Sequence, residues 1–369
     1  MRPRPETSRR RYSSPPADVR ILALDLGAGW RGGQTQTALI SAGLAARGHA
    51  LTLLARRGSA LAREMHAAAA GGARVVEVPA GFEASPGLLL GVSRVTRTFR
   101  PDVLWASDAR GHGAAVWSGT AGRIPLVVHR RVSFPPGRSV LSKVKYRVPR
   151  RYLAVSNGVA ASLRTAGIEE ARISVLPDGL APGSYVDRPE VPAPPFRLVH
   201  VGAFDGLKGQ EVALHALARV VALGLDANLL FLGDGTHRAE VEQDAAALGL
   251  TQRCTFAGEV RNVPDRLAAS HLLLLPSRSE GASMTLMEAM AAGCPVLVHD
   301  LPGPRELCQN GTAGALLPTL DPAAWADEIR RLLLHPGERA CYTVGGRAAA
   351  AEWTIERTLT RLEAILEER

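Results

Sequence analysis

The chain has 369 residues, 46% of them hydrophobic and 21% charged, with a formal net charge of +9. That length suits two domains of ordinary size, each able to bury a core. No apolar run reaches the roughly 18 residues a membrane span needs, and the four cysteines, Cys254, Cys294, Cys308 and Cys341, show no CxxC spacing, so neither a disulfide framework nor a zinc site is indicated and free thiols in a reducing cytosol are expected.

Residues 1–18 are rich in Arg, Pro and Ser and lack the apolar segment of a secretory signal; they read as a disordered basic tail. Charge is unevenly divided. Residues 1–180 carry 27 Lys and Arg against 11 Asp and Glu, a net of +16, whereas residues 181–369 have a net of −7. An anionic partner for the first half follows, either a membrane surface or a nucleic acid. The basic residues are not interleaved with aromatics, and no nucleic-acid-binding motif is present, so nucleic acid is not expected.

After the tail, 19–26 (VRILALDL) is a buried-strand run. The loop GAGWRGGQ and a helix over 35–47 follow, then a strand at 50–55, a helix near 61–70 and a strand at 73–78. A helix at 88–99 precedes strands at 102–106 and 125–129, a basic segment at 138–151 and a strand at 152–155. A helix at 158–165 and a strand at 173–176 complete a first domain over 19–180. Residues 180–195 turn Pro-, Gly- and Asp-rich, as a linker does.

The pattern restarts with a strand at 197–201, the loop GAFDGLKG and a helix at 210–223. Strands at 227–232, 254–256, 272–275 and 296–299 alternate with helices, a turn falls near Gly345, and a last helix runs over 354–367. Strands alternating with helices predict two α/β, Rossmann-like doubly wound domains facing a cleft, the second over 181–350.

The most informative stretch is 279–298, SEGASMTLMEAMAAGCPVLV. Its helix is apolar on nearly every side, hence buried, yet carries Glu288, whose ionised carboxylate is costly there unless paired. Glu280 and Gly281 stand in the loop that enters the helix, and Ser283 is positioned as N-cap, leaving the N–H groups of the first turn, around Met284 and Thr285, facing the same space. Taken alone, Glu280 reads as a surface loop residue and Glu288 as a core acid satisfied by a neighbour. Their order, with Gly293 and Pro295 before a strand and then PGPREL (302–307) and NGTAGALLP (310–318), resembles the donor-site signature of retaining glycosyltransferases of family 4, which have the GT-B fold.

That resemblance implies a nucleotide-diphosphate sugar as co-substrate, no separate cofactor, and specific residue roles. Glu280 would hold donor-sugar hydroxyls and Glu288 the nucleotide ribose. Gly32 and Gly33 would let backbone approach the donor diphosphate, as would Gly202, and Lys208 would neutralise the phosphates as they depart. The family usually has an arginine after the glycine of VG, where this chain has Ala203; Arg130 or Arg131 would help Lys208 instead. His129, at the end of a strand, would lie beside the donor sugar with Glu280 and Lys208 as the catalytic set. Backbone near Val260 would meet the base.

Asp108, Arg110 and His112 are further candidates for acceptor contacts, with Arg130 and Arg131, and Glu306 reads as structural. The first Gly-rich loop is not GxGxxG, and Arg56 and Arg57 stand where a dinucleotide fold places an acid. No Asp-x-Asp occurs, so a metal is not expected; the helix end at Ser283 and Lys208 would stabilise the leaving anion. The terminal segment 351–369 would cross back to the first domain. The acceptor is expected to be a glycan or lipid-linked, with the protein cytoplasmic and peripheral on an anionic leaflet through a basic cluster of Arg138, Lys143, Lys145, Arg147, Arg150 and Arg151 around Val140, Leu141, Val144 and Tyr146. The alternatives are a GT-B epimerase or hydrolase, and a non-catalytic anion- or nucleic-acid-binding protein.

Overall fold

The computed structural model describes residues 18–68, 72–79, 81–137 and 139–368; the basic tail, except Asp18, and Arg138 lie outside them. Seven parallel strands form the first sheet: β1 (Arg20–Asp25), β2 (Ala50–Arg56), β3 (Arg74–Val78), β4 (Val103–Ala106), β5 (Leu126–Arg130), β6 (Arg151–Ala154) and β7 (Ile173–Val175). Six form the second: β8 (Phe196–Val201), β9 (Ala227–Leu232), β10 (Cys254–Phe256), β11 (Leu272–Leu275), β12 (Val296–His299) and β13 (Ala315–Leu317). The orders are 3-2-1-4-5-6-7 and 10-9-8-11-12-13, so both sheets are doubly wound.

Each sheet is apolar on both faces because helices cover both. Along β1, Ile21 and Ala23 enter one core while Leu22 and Leu24 enter the opposite one, the period of two that a strand imposes. Leu198 and Val199 of β8 divide in the same way between the two cores of the second domain.

The helices of the first domain are α1 (Gly32–Ala46), α2 (Ala60–Ala67), α3 (Pro86–Phe99), α4 (Ala109–Trp117), α5 (Val140–Arg147) and α6 (Asn157–Thr165). Those of the second are α7 (Gln210–Ala222), α8 (Arg238–Ala247), α9 (Val263–Ala268), α10 (Met284–Ala291), α11 (Pro302–Leu307), α12 (Pro322–Leu334) and α13 (Pro336–Ala350), and α14 (Ile355–Glu367) ends the chain. No helix among the described residues is long and apolar enough to cross a membrane.

Three differences from the sequence expectations matter. Helix α1 begins at Gly32, so the glycine pair forms its first turn. Helix α4, not anticipated from the sequence, starts directly after Asp108, which caps it by accepting from the Gly111 N–H. The turn expected near Gly345 does not exist: α13 runs straight through Gly345 and Gly346. These two glycines instead bring α13 close to its neighbours, since a methyl group on Gly345 would come within 3.0 Å of the Thr312 carbonyl oxygen and one on Gly346 within 3.4 Å of Met290.

Helix α14 lies on the first domain, with Leu359 and Leu362 in the core beside Ile40 and Leu44 of α1. Arg47 adds a bond of 2.6 Å to Glu363. In each sheet the direction of winding reverses between two central strands, β1 and β4 in the first and β8 and β11 in the second. The crevices above those strand ends are where open α/β sheets bind ligands.

Candidate active site

The loops at the two reversal points supply most of the site. On the second domain, Lys208 follows β8 and Glu280 follows β11. Lys208 Nζ lies 2.7 Å from Glu280 Oε1, and Ser277 Oγ donates to the same oxygen at 2.9 Å. Glu280 is nearly buried and Lys208 about a quarter exposed, so the ammonium borders the cleft while the carboxylate sits behind it. The lysine stem lies directly over Gly202, where a methyl group would be 2.9 Å from its Cγ.

Two histidines set these loops. The buried His200 donates its Nε2–H to the Lys208 carbonyl at 3.0 Å, which leaves Nδ1 bare and without a partner among the described residues. Burial lowers its pKa to about 4, keeping the ring neutral. His299 donates its Nδ1–H to the Ser277 carbonyl at 2.7 Å. Ser277, His200 and His299 gave no sequence signal: Ser277 meets the Glu280 carboxylate through its hydroxyl, and the two histidines hold the carbonyls of Lys208 and Ser277.

Helix α10 supplies the next part. Ser283 caps it, its hydroxyl accepting from the Leu286 N–H. Met284 and Glu288, four residues apart, share the face turned toward the first domain. Glu288 has no hydrogen-bond partner among the described residues, and desolvation alone raises its pKa to about 7. A half-buried carboxylate left without a partner is suited to accept bonds from a ligand. Thr285 is half-buried beside it in the first turn. Val260 lies on the loop between β10 and α9, and its backbone N–H and C=O have no partner among the described residues.

The first domain closes against this surface. A methyl group on Gly32 would come within 2.9 Å of Met284 Cγ, so a larger residue at the start of α1 would push Met284 aside. Gly33 has looser surroundings, with Arg131 Cδ 3.8 Å from such a methyl. Gln36 donates to Gly179 O at 2.6 Å and contacts Met284 Sδ at 3.3 Å. Gly281 packs on the Arg131 carbonyl, where a side chain would collide at 2.2 Å, and its own carbonyl accepts from Ser156 Oγ at 2.8 Å. Glu306 spans the domains, accepting from the Asn157 backbone N–H and side-chain amide at 2.8 Å each.

Several expected positions differ. His129 does not line the cleft: its side chain is fully buried, Nδ1 accepts from Arg131 at 3.0 Å, and Nε2 is 3.9 Å from Asp178. Burial holds its pKa well below the usual histidine range. Its ring lies near Trp105 and against Arg131.

Neither arginine has a guanidinium free to help Lys208. Arg131 bonds Asp178 at 2.9 Å and the carbonyl and hydroxyl of Ser107 at 3.1 and 2.6 Å. Arg130 is buried, bonding the Tyr146 hydroxyl at 2.6 Å and the Phe134 carbonyl. His112 is also buried, with Nε2 donating to the Lys145 carbonyl at 3.1 Å, and burial lowers its pKa to about 3. Asp108 is occupied by the Leu26 and Gly111 N–H groups at 3.1 and 2.8 Å. Burial, with Asp25 nearby, raises its pKa to about 6. Arg110 remains exposed.

A buried network beneath α1 was also not legible in the sequence. Asp25 accepts from Gln34 at 3.1 Å and Thr37 at 2.7 Å, and Thr37 bonds Ser107, which links Asp25 to Arg131. This network fixes the floor of the first-domain crevice.

Comparison with known proteins agrees with this geometry. A family model described as Glycosyltransferase Family 4 matches residues 30–182, and one described as Glycosyl transferases group 1 matches residues 195–335. The chain is 32% identical over 141 residues to an alpha-D-kanosaminyltransferase of Streptomyces kanamyceticus, a match covering 38% of this chain and 36% of that protein. It is 36% identical over 149 residues to an N-acetyl-alpha-D-glucosaminyl L-malate synthase of Bacillus anthracis, covering 39% of each. The matches thus take in little more than a third of those relatives' length. The crystal structure of Anabaena HepE in complex with UDP and glucose superposes with a TM-score of 0.82 at 19% identity, over 95% of this chain and all of that one. With one glycosyltransferase match on each domain and the GT-B arrangement of two doubly wound domains about a cleft, the chain belongs to the family 4 glycosyltransferases.

Proposed function

We propose that the protein transfers a sugar from a nucleotide-diphosphate donor to a glycan or lipid-linked acceptor, with retention at the anomeric carbon and without a metal. The observation that carries this reading is the Lys208–Glu280 pair, 2.7 Å apart beside the capped start of α10 and opposite the glycine pair of α1. An ammonium and a helix N-terminus at one point suit a departing diphosphate. Lys208 is paired with Glu280. A donor phosphate would take the ammonium, and the freed carboxylate would accept hydroxyl hydrogen bonds from the sugar. Glu288, unpartnered, would accept from the nucleotide ribose, and the open backbone of Val260 would meet the base. The UDP and glucose held by HepE support a nucleotide sugar as donor. Retention is proposed from the signature spanning Glu280 and Glu288.

The work site proposed is an anionic membrane surface in cell-envelope or polysaccharide synthesis, with the protein cytoplasmic and peripheral. Val140, Leu141 and Val144 on α5 are 76%, 67% and 42% exposed, and Val132 and Phe134 beside them are also exposed. Lys143, Arg147 and Arg150 surround them and are exposed. The patch is smaller than the sequence suggested. Lys145 turns inward to Glu83 at 2.6 Å, Tyr146 stacks on Tyr152, and Arg151 pairs with Glu368. The segment runs directly from the cleft, where Ser133 Oγ is 3.1 Å from Ser279 Oγ.

A thermal-shift screen against UDP, GDP and ADP tests the donor site. A nucleotide at about 100 times its dissociation constant should stabilise by roughly 2.7 kcal/mol. Acceptor-dependent release of that nucleotide then separates transfer from epimerisation or hydrolysis. No shift with any of the three would overturn the proposal.

A further inference from the structure

The charges around the proposed diphosphate position do not suffice on the second domain alone. Lys208 is matched by Glu280, and Asp205, on the same loop, adds a further negative charge. Nearby cations are committed elsewhere: Arg131 to Asp178, Ser107 and His129, Arg278 to Glu211, and Arg305 to Asp300. A dianionic group would meet a wall with no net positive charge.

The missing cation comes from the other domain. Arg31 precedes the glycine pair and is the N-cap residue of α1, but its side chain makes no cap bond. Instead it reaches across the cleft, Nη1 lying 3.2 Å from Asp205 Oδ2, with 66% of the side chain exposed. Its neighbour Gly32 packs on Met284, the first residue of α10, so Arg31 stands where the two helix starts and the Lys208 loop converge. Asp205 is itself fixed, its Oδ1 accepting from the Leu207 N–H at 3.1 Å.

We propose that Arg31 binds the donor diphosphate, leaving Asp205 for a phosphate oxygen when the nucleotide enters, so that the cation completing the donor site is supplied by the acceptor-side domain. This rests on the glycosyltransferase reading above. An ion pair so exposed is held weakly and is readily exchanged for a phosphate, which an arginine can engage with two parallel N–H groups. Because Arg31 arrives only with its own domain, diphosphate binding and closure of the cleft are linked: a nucleoside diphosphate binds more tightly to the closed arrangement than the matching nucleoside does.

Calorimetric titration of the full chain with UDP, GDP and ADP and with uridine, guanosine and adenosine tests this. Arg31→Ala should weaken the diphosphate by about tenfold or more and leave the nucleoside unchanged. Asp205→Asn, which frees Arg31, should not weaken the diphosphate. The decisive variant is the double Arg31→Ala, Asp205→Asn. If Arg31 touches phosphate, the double variant stays as weak as Arg31→Ala. Recovery to wild-type affinity would mean that Arg31 merely neutralises Asp205, and would overturn the inference, as would wild-type affinity in Arg31→Ala itself. Binding of no nucleotide by the wild-type chain would instead overturn the proposed function, and this inference with it.

Discussion

Lys208 Nζ and Glu280 Oε1 lie 2.7 Å apart, joining the loop after β8 to the loop after β11, 72 residues later in the chain. Under the proposed function, the ammonium bordering the cleft and the acid behind it would exchange partners when a diphosphate and a sugar hydroxyl arrive together.

Lys208→Ala is expected to fold, since Glu280 keeps the Ser277 hydroxyl, and to lose about a hundredfold to a thousandfold in kcat, the usual cost of one electrostatic group at a developing anion. Glu280→Gln should melt close to wild type and lower turnover more than nucleotide affinity. Steady-state kinetics beside calorimetry checks both. Wild-type kinetics in the two variants would remove the pair from the mechanism.

Glu288 gives a pH signature. Its pKa is raised to about 7 by desolvation, so the folded state holds a proton that the unfolded chain releases near its ordinary value of 4.5. Stability from this group is therefore present at pH below about 4.5 and declines as pH rises through about 7, by on the order of 3 kcal/mol. Asp108, raised to about 6, pulls the same way, so the difference between wild type and Glu288→Gln isolates Glu288. Melting of the ligand-free protein from pH 4.5 to 8.5 should show a shallower decline in the variant, with weaker nucleotide binding. Parallel curves would show that Glu288 does not titrate in this range.

Turnover should survive chelation. With Lys208, Arg31 and the start of α10 at the phosphates, EDTA is expected to leave the rate within about twofold of its value. Loss of activity restored by Mg²⁺ or Mn²⁺ would show that these groups do not replace a metal.

Sedimentation with vesicles addresses the α5 patch. Each exposed basic residue near an anionic surface contributes about 1 kcal/mol, within a Debye length. Binding should therefore need anionic lipid, weaken at high salt, and fall in Lys143→Glu, Arg147→Glu and in Leu141→Ser. Equal binding to anionic and neutral vesicles, or none, would favour a soluble acceptor.

The sequence by itself determined the two doubly wound domains and the nature of α10. Apolar runs such as 272–275 and 21–24 are buried on both faces by any arrangement that hides them, and a helix as apolar as MTLMEAMA has nowhere else to go. Glu288 was legible as a charge in apolar surroundings and Glu280 by its place before the same helix, whereas Lys208 and the glycine pair were singled out through the resemblance to family 4 glycosyltransferases.

What only the tertiary structure decided are matters of direction and distant pairing. His129 and Arg131, two residues apart, project to the same side, and only the structure shows that His129 is buried there and accepts from Arg131, which also ties Ser107 to Asp178. Gly345 reads as a turn until the approach of the Thr312 carbonyl to α13 is known. The bonds that shape the cleft join residues 149 and 174 apart, Asn157 with Glu306 and Arg31 with Asp205. No local propensity encodes them, because each forms only when the two domains come to rest against one another.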